Sequence, residues 1–395
     1  MLSLATPKNK LSPTLFSLVI AITLSLMAIG NSSAAETQRR DFYFPNTEEL
    51  AEDEMRVIAL GTGTPHARPA QASAAWLVEL GNGEKFIFDI GKGAVDNLGA
   101  LETSFNKLNK VFISHLHMDH MGDLDALYIG GWVSYRVVPL EVYGPSGKKR
   151  KYGTAYAMDR MKEMYSWDID GRRGAIAKEG SIINAHEFDY SKTQVIYDKD
   201  GVVIKSFPAI HVMDGAVSYS LEWKGLKFVY SGDTVPNRWF MEEGKDADIL
   251  VHECYFTVNQ LINKKGDSPE RAHRVGTVFH TPPISCGKIF AELEPRIAVP
   301  YHIFTDFDIA PEAIADMRKN YGGKMALADD MMVWNITKDE IVVRMTVYPD
   351  EVWPPNPDSE EVRGADAKIS GPRNATNKSK NSDWLEAGRE TFDEE

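Results

Sequence analysis

Phe112-Ile113-Ser114-His115-Leu116-His117-Met118-Asp119-His120-Met121-Gly122-Asp123 places three histidines and an aspartate within six residues, directly after the apolar run Val111-Phe112-Ile113. The run reads as a buried strand passing into a loop. If the loop stays extended, residues 115, 117 and 119 project to one side, because side chains on extended backbone alternate. His120 is expected to face elsewhere, in the first turn of a helix. Imidazoles and a carboxylate at this spacing are metal donors. His115 with His117 can serve one ion and Asp119 with His120 another, whereas a single zinc-protease helix presents histidines at i and i+4.

Further donors follow where other apolar runs end. Phe207-Pro208-Ala209-Ile210-His211 places a histidine past one run, Tyr230-Ser231-Gly232-Asp233-Thr234 an aspartate past another, and Val299-Pro300-Tyr301-His302 a third donor. A lone histidine at a strand end is ordinarily a satisfied polar residue. Together with the 115–120 cluster these complete the set of about seven protein donors, one an acidic bridge, that a two-metal hydrolytic centre requires.

The remaining sequence frames this cluster. The chain has 395 residues, 43% hydrophobic and 26% charged, enough for a sizeable core. Lys8 and Lys10 precede an apolar run from Leu15 to Ile29, and Ser32-Ser33-Ala34-Ala35 supplies small residues for cleavage. Residues 1–35 therefore read as an export signal, the run being shorter than the roughly 20 residues of a spanning helix. This implies a periplasmic or secreted protein without a stable membrane anchor. Residues 36–54 read as a linker and 55–350 as one mixed α/β domain. Strands are expected at 55–60, 73–80, 85–90, 110–114 and 139–143, and then at 201–207, 217–223, 225–230 and 247–252 in an all-strand second half. A helix near 283–293 and a strand at 296–300 close it. Residues 151–165 set Tyr and Met at helical spacing, which suits a helix packed on the core. Gly61-Thr62-Gly63-Thr64-Pro65 reads as a turn, since no Gly-Lys-Ser/Thr or helix follows to cradle a phosphate. From residue 351 to 395 the chain is polar and proline-punctuated, with too little apolar content to order itself.

A formal charge of −13 argues against a nucleic-acid partner, which is held by clustered Lys and Arg. Lys148-Lys149-Arg150-Lys151, with Tyr152 and Tyr156 nearby, is a local exception that suits either a solvated loop or an anion contact. Cys254 and Cys286 are the only cysteines, so no disulfide framework holds the chain; whether they pair is left open.

Over residues 55–347 the pattern His-x-His-x-Asp-His, followed by His211, Asp233 and His302, resembles the metallo-β-lactamase-fold metallo-hydrolases. The resemblance implies an α/β, four-layer αββα sandwich. It also implies a dinuclear zinc site in which His115, His117 and His211 bind one ion, Asp119, His120 and His302 the other, and Asp233 bridges. An aspartate at 233 argues against the true β-lactamases. Phe88-Asp89-Ile90-Gly91-Lys92-Gly93, Ser231-Gly232-Asp233-Thr234 and His252-Glu253-Cys254-Tyr255-Phe256 resemble segments of the ribonuclease Z and arylsulfatase-like branch. His280-Thr281 stands where that branch has a His-Ser/Thr pair. Met118 departs from its small residue before the aspartate, and residues 144–186 lack its glycine-rich basic arm. Trp223-Lys224-Gly225-Leu226-Lys227-Phe228 and Thr305-Asp306-Phe307-Asp308 are similar to hydrolases labelled after guanitoxin biosynthesis.

The chemistry implied is metal-assisted hydrolysis of an anionic ester of a small molecule, a phosphodiester, phosphate or sulfate ester. Two zinc ions would activate water and polarise the ester oxygen; mixed His and carboxylate donors also accept Mn2+ or Fe2+. Asp119 would orient the nucleophile, and Glu253 would hold His280 as an acid for the leaving group by raising its imidazolium population. Ribonuclease Z-like tRNA processing is the first alternative. The others are a lactonase using Tyr255 or Tyr301 over the metals, and a non-catalytic metal-binding module. An oligomer is compatible with all of them. His66, His186 and His273 match no donor position, and His252 is expected to orient a ligand or the Glu253 carboxylate. From the export reading, N-terminal sequencing of the mature protein should return a chain starting near Ala35 or Glu36; soluble protein that begins before Leu15 would overturn that reading.

Overall fold

The computed structural model describes residues 41–173, 176–349 and 351–353; the expected signal segment and nearly all of the expected polar tail lie outside them. Among the described residues fifteen strands form two sheets. The first contains β1 Phe42–Tyr43, β2 Met55–Gly61, β3 Ala75–Leu80, β4 Lys85–Ile90, β5 Lys110–Phe112, β6 Leu140–Pro145, β7 Ile183–Phe188, β14 Met332–Ile336 and β15 Ile341–Thr346, in the order β1-β15-β14-β2-β3-β4-β5-β6-β7. The second contains β8 Gln194–Lys199, β9 Val202–Pro208, β10 Val217–Trp223, β11 Leu226–Tyr230, β12 Ile249–Glu253 and β13 Ile297–Tyr301, in the order β13-β12-β11-β10-β9-β8.

The central strands are apolar on both faces. In β2 and β3 every residue is buried, as in sheets covered on two sides. One face of each sheet meets the other sheet: Trp76, Phe88 and Phe112 pack with Tyr219, Phe228, Tyr230 and Tyr301. Phe112 stacks on Tyr143 and Phe88 lies 5.0 Å from Phe228, ring centre to ring centre. Each such ring taken from water contributes on the order of 1.5–3 kcal/mol. The outer face of the first sheet is covered by Leu98, Leu127 and Met158, from the helical segments Ala94–Gly99, Ala126–Gly130 and Thr154–Met164. The outer face of the second is covered by Phe240, Phe290 and Met317 from Arg238–Glu243, Pro283–Leu293 and Ala310–Arg318. The layers are thus helix, sheet, sheet, helix, the four-layer sandwich expected.

Local chemistry fixes the strand register. β10 and β11 pair from Tyr219–Tyr230 to Trp223–Leu226, and the two residues between them, Lys224 and Gly225, sit at φ 48° and 79°. That is the two-residue turn whose twist matches a hairpin. β11, β12 and β13 are parallel, which requires crossovers. The helices Arg238–Glu243, Val258–Asn263, Pro269–Arg274 and Pro283–Leu293 supply them; the last is the helix expected near 283–293, while the first three interrupt a half expected to be all strand. These helices are mostly six residues long, too short for a periodic signal, although Thr257 with Gln260 forms a capping box.

Two other expectations are corrected. The presumed linker supplies β1, which pairs with β15, and its Glu48 receives both guanidinium nitrogens of Arg344 at 2.7 and 2.9 Å. Gly61 to Thr64 is extended rather than turned, running beside residues 71–73 with Gly63 bridged to Ser73. A Cβ on Gly61 would lie 1.8 Å from the Ser73 carbonyl oxygen, so glycine is needed there for close approach.

Strand direction positions the site. β4, β5, β9, β11, β12 and β13 all end at the same edge of the sandwich, and His115, His211, Asp233 and His302 each follow such an end. Gly61→Ala should lower stability by about 3 kcal/mol or more in chemical denaturation, since neither backbone strand can yield. Gly99→Ala, with no atom within 4 Å of its Cβ position, should be neutral or stabilising.

Candidate metal centre

Beyond β5 the chain bends at Ser114 and runs irregularly to His117, whose backbone is extended, and a short helix, Met118–Met121, then begins. That break separates the donors. His115 and His117 join His211 and Asp233 in one group, while Asp119 and His120 join Asp233 and His302 in a second; within each group one ligand atom per residue lies within 4.8 Å of the others. Asp119 therefore does not share a side with His115 and His117, because helical backbone replaces the period of two. His120 lies in the first helical turn as expected, yet its ring is 4.2 Å from that of His115. It faces the same centre.

Asp233 stands between the groups. Its Oδ2 is 3.9 Å from His115 Nε2 and 3.7 Å from His211 Nε2, and its Oδ1 is 3.2 Å from His120 Nε2 and 3.5 Å from His302 Nε2. His117 Nδ1 is 2.9 Å from His115 Nε2 and 3.3 Å from His211 Nε2. His302 Nε2 is 3.1 Å from Asp119 Oδ2.

The far nitrogens of His115, His120 and His211 are fixed from behind, which aims the near ones at the centre, whereas His302 Nδ1 is buried without a hydrogen bond. His211 Nδ1 donates to the Phe279 carbonyl at 2.8 Å. His115 Nδ1 donates to Ser114 Oγ at 3.0 Å, and Ser114 Oγ donates to Asp89 at 2.6 Å. His120 Nδ1 donates to Asp89 at 2.6 Å, and Tyr230 donates to the same carboxylate at 2.6 Å. Asp89 is fully buried, with φ 56°. His302 has φ 67°, and its backbone N–H donates to Thr62 O at 2.8 Å. Left-handed backbone costs a non-glycine residue on the order of 1 kcal/mol, and strain of this kind gathers at functional sites.

The donors fit metal ions. His120 Nε2 and Asp233 Oδ1 are buried without a hydrogen bond. Burial holds His115 well below the usual imidazole range, also lowers His117, and lowers His211 to about 4, so these rings are neutral, as ligands must be. His120 goes the other way: burial opposes its charge, but Asp233, Asp119 and Asp89 outweigh it and raise its pKa well above the usual value. Burial also works against the Asp233 carboxylate, yet the imidazoles of His302 and His120 hold it well below the usual carboxylate range. Asp119 and Asp233 thus lie buried where the groups that offset them are imidazoles, which is where cations belong.

A third group adjoins the centre. His280 Nδ1 lies 3.2 Å from both Glu253 oxygens and 3.8 Å from Asp233 Oδ2, with Tyr255 stacked on the ring at 4.1 Å. Burial lowers the His280 pKa and raises that of Glu253 well above the usual carboxylate range. The pairing is as expected, but the expected enrichment of imidazolium is not, because desolvation outweighs the attraction of Asp233 and Asp119.

The other histidines separate cleanly. His252 is buried, with Nδ1 2.6 Å from the Glu253 backbone oxygen, so it touches neither a donor of the two groups nor the Glu253 carboxylate. His186 pairs with Glu141 at 2.5 Å and stacks on Tyr143. His66 bonds Thr64 Oγ1, and His273 is exposed at the end of Pro269–Arg274. Tyr301 is buried beneath the site, its hydroxyl donating to Gly232 O at 3.0 Å, and cannot stand over the metals. Cys254 and Cys286 are buried free thiols. The sequence reading singles out the segment around Asp89 by resemblance only; the support that Asp89, Ser114 and Tyr230 give depends on strands brought together from distant parts of the chain and is not legible in the sequence.

Residues 55–264 match the family model described as Anti-Pycsar protein Apyc1. A ribonuclease Z of Mycobacterium sp. (strain KMS) is 31% identical over 291 residues, covering 70% of this chain and 94% of that protein. A ribonuclease Z of Mycobacterium marinum is 31% identical over 207 residues, covering 50% of this chain and 70% of that protein. Among solved structures, the metallo-β-lactamase-fold protein YhfI of Bacillus subtilis superposes with a TM-score of 0.53 at 18% identity, covering 72% of this chain and all of that one. The short form of human tRNase Z superposes with a TM-score of 0.52 at 20% identity, covering 70% and 98%.

Asp89→Ala would leave the Ser114 N–H and Oγ, His120 Nδ1 and the Tyr230 hydroxyl without their acceptor. It should destabilise the protein by about 3–5 kcal/mol in urea titration, far more than His186→Ala at an exposed pair.

Proposed function

The chain belongs to the metallo-β-lactamase-fold metallo-hydrolases, as a member of the family described as Anti-Pycsar protein Apyc1, and from that premise we propose that it cleaves an anionic ester of a small molecule at a dinuclear zinc centre outside the cytoplasm. It is a metal-dependent hydrolase of ester bonds; the nuclearity, the metal, the substrate and the location are the proposal. The observation that carries it is the Asp233 carboxylate, one oxygen toward each histidine group. His115, His117 and His211 would hold one ion, Asp119, His120 and His302 the other, and Asp233 both. Bound ions would acidify water and polarise the ester oxygen. Export rests on the N-terminal sequence alone.

The chain's own groups do the rest. Asp119 Oδ2, 3.1 Å from His302 and 3.7 Å from His120, offers an acceptor that can orient attacking water. His280, held by Glu253 and lying against Tyr255, is the candidate donor to the departing oxygen. Since burial keeps His280 neutral, the proton it gives comes from the shared Glu253–His280 pair and moves as charge develops on the leaving group. Lys151 and Tyr152 line a cavity with His115, His117 and His211, so the basic segment singled out in the sequence lies beside the donors. That favours an anionic substrate.

Processing of tRNA precursors is the second reading, favoured by relatives named ribonuclease Z. The net charge of −13 and a 144–186 segment carrying the helices Thr154–Met164 and Ser166–Arg172 in place of a glycine-rich arm weigh against it. Zinc-loaded protein assayed on chromogenic phosphodiester, phosphomonoester, sulfate and lactone substrates and on a tRNA precursor should turn over the phosphodiester most readily. Cleavage of the tRNA precursor alone would replace this reading with the second.

Two variants check the roles. Asp233→Ala should bind less than half the metal of the wild type by elemental analysis and lose nearly all turnover; full metal retention would contradict the bridging assignment. His280→Ala should lose on the order of 10²–10⁴ in rate on alkyl esters and much less on nitrophenyl esters, whose leaving group departs unprotonated. Equal losses on both would remove the acid role.

A further inference from the structure

His115, His120 and His211 take their aim from a bonded far nitrogen, but His302 does not. Its Nδ1 is buried without a hydrogen bond, so no partner turns the ring from behind. The direction of its Nε2, 3.1 Å from Asp119 Oδ2, is therefore set by the backbone that carries it, and that backbone is left-handed at φ 67°. A residue in this conformation persists only where its surroundings over-determine it.

Those surroundings converge on Asp330, just before β14. The His302 N–H donates to Thr62 O at 2.8 Å. Thr62 in turn donates to Asp330 Oδ1 from its N–H at 2.9 Å and from its Oγ1 at 2.8 Å, which fixes the direction of its carbonyl. Asp330 Oδ2 accepts the Ala72 N–H at 2.5 Å, so one carboxylate ties together both ends of the loop from Thr62 to Ala72. Gln71 in that loop donates its Nε2 to Thr62 Oγ1 at 2.8 Å and to the carbonyl of Ile303, the residue after His302, at 3.0 Å. Burial pushes the Asp330 pKa up to about 6 against the pull of these bonds, so at neutral pH both oxygens are acceptors. A second link joins the same loop to the chain beyond His302, from Arg68 to Asp306 at 2.6 and 2.7 Å. It is partly exposed, and ion pairs in water contribute little.

We infer that Asp330 is a positioning residue for the metal centre: acting through Thr62, it holds the His302 backbone in the conformation that turns Nε2 toward Asp119 and Asp233. Asp330 touches none of the donors and lies 28 positions from His302 in sequence. The inference rests on the reading of His302 as a donor. Groups that orient a metal ligand from behind typically change metal affinity 10–100-fold when replaced.

Asp330→Asn keeps the size of the side chain but sets an amide against one of the two backbone N–H groups. In hydrogen–deuterium exchange on metal-free protein, the amides of residues 301–304 should exchange at least tenfold faster than in the wild type, with β10 and β11 unchanged. In zinc titrations against a chromophoric chelator, one equivalent should bind about 10–100-fold more weakly. Thr62→Val, which removes the Oγ1 bond and leaves the carbonyl in place, should move both readouts in the same direction by less, and it serves if the Asn variant fails to fold. Asp248→Asn strips a carboxylate from the Lys227 N–H and Arg296 at the other end of β12, and should leave both readouts as in the wild type. Unchanged exchange at 301–304, or faster exchange with wild-type zinc affinity, would overturn the inference. Failure of the wild type to take up zinc would overturn the reading of His302 as a donor instead, and exchange would still decide whether Asp330 holds its backbone.

Discussion

Buried negative charge is the constraint around which this molecule is arranged. Asp89, Asp119 and Asp233 are each almost entirely withdrawn from solvent within one region, and the positive groups that hold Asp119 and Asp233 down are imidazoles rather than lysine or arginine. A carboxylate in such surroundings costs several kcal/mol unless it is paired or coordinates a cation. Asp89 meets that cost with four hydrogen bonds from the chain. Asp233 Oδ1 has none and faces His120 Nε2, which has none either. Cations held by these donors would resolve the imbalance that the protein alone leaves.

The sandwich makes that concentration possible. Strands from both sheets end at one edge, so donors from segments as distant in sequence as His115 and His302 arrive together. The supports come from the same strand ends: Asp89 at the end of β4 bonds His120, Thr62 past β2 bonds the His302 backbone, and Glu253 ends β12 beneath His280. The rigid core, with Trp76, Phe88, Phe112 and Tyr230 between the sheets, sets the spacing of these ends. The loop that brings Lys151 and Tyr152 to the cavity is set apart from it, and variation there can change the substrate without disturbing the centre.

How much of the fold and the centre is legible in the sequence follows from how the signal is carried. His115, His117, Asp119 and His120 are dense in sequence, and their spacing alone marks them as donors. His211, Asp233 and His302 are legible only as apolar runs ending in a donor. The long strands and the helix Pro283–Leu293 emerge because their patterns are long enough to read. β1, of two residues, and β7, mostly exposed, carry no alternation and leave no sequence signal, and β8, β14 and β15 also lie where no strand is expected from the sequence. Gly61 to Thr64 reads as a turn although it is extended, because glycine signals both a turn and close backbone approach, and only the nearby Ser73 carbonyl distinguishes them. The direction of the His280 shift is hidden for a similar reason: its partner Glu253 is visible in the sequence, but its burial is not.

The most direct measurement is anomalous diffraction at the zinc edge from crystals of the zinc-loaded protein. The account predicts two peaks about 3.5–4 Å apart, the spacing usual for a two-metal hydrolytic centre. One should lie among His115, His117 and His211, the other among Asp119, His120 and His302, with Asp233 bonded to both. A single peak, or peaks away from Asp233 in protein carrying its full complement of zinc, would contradict it.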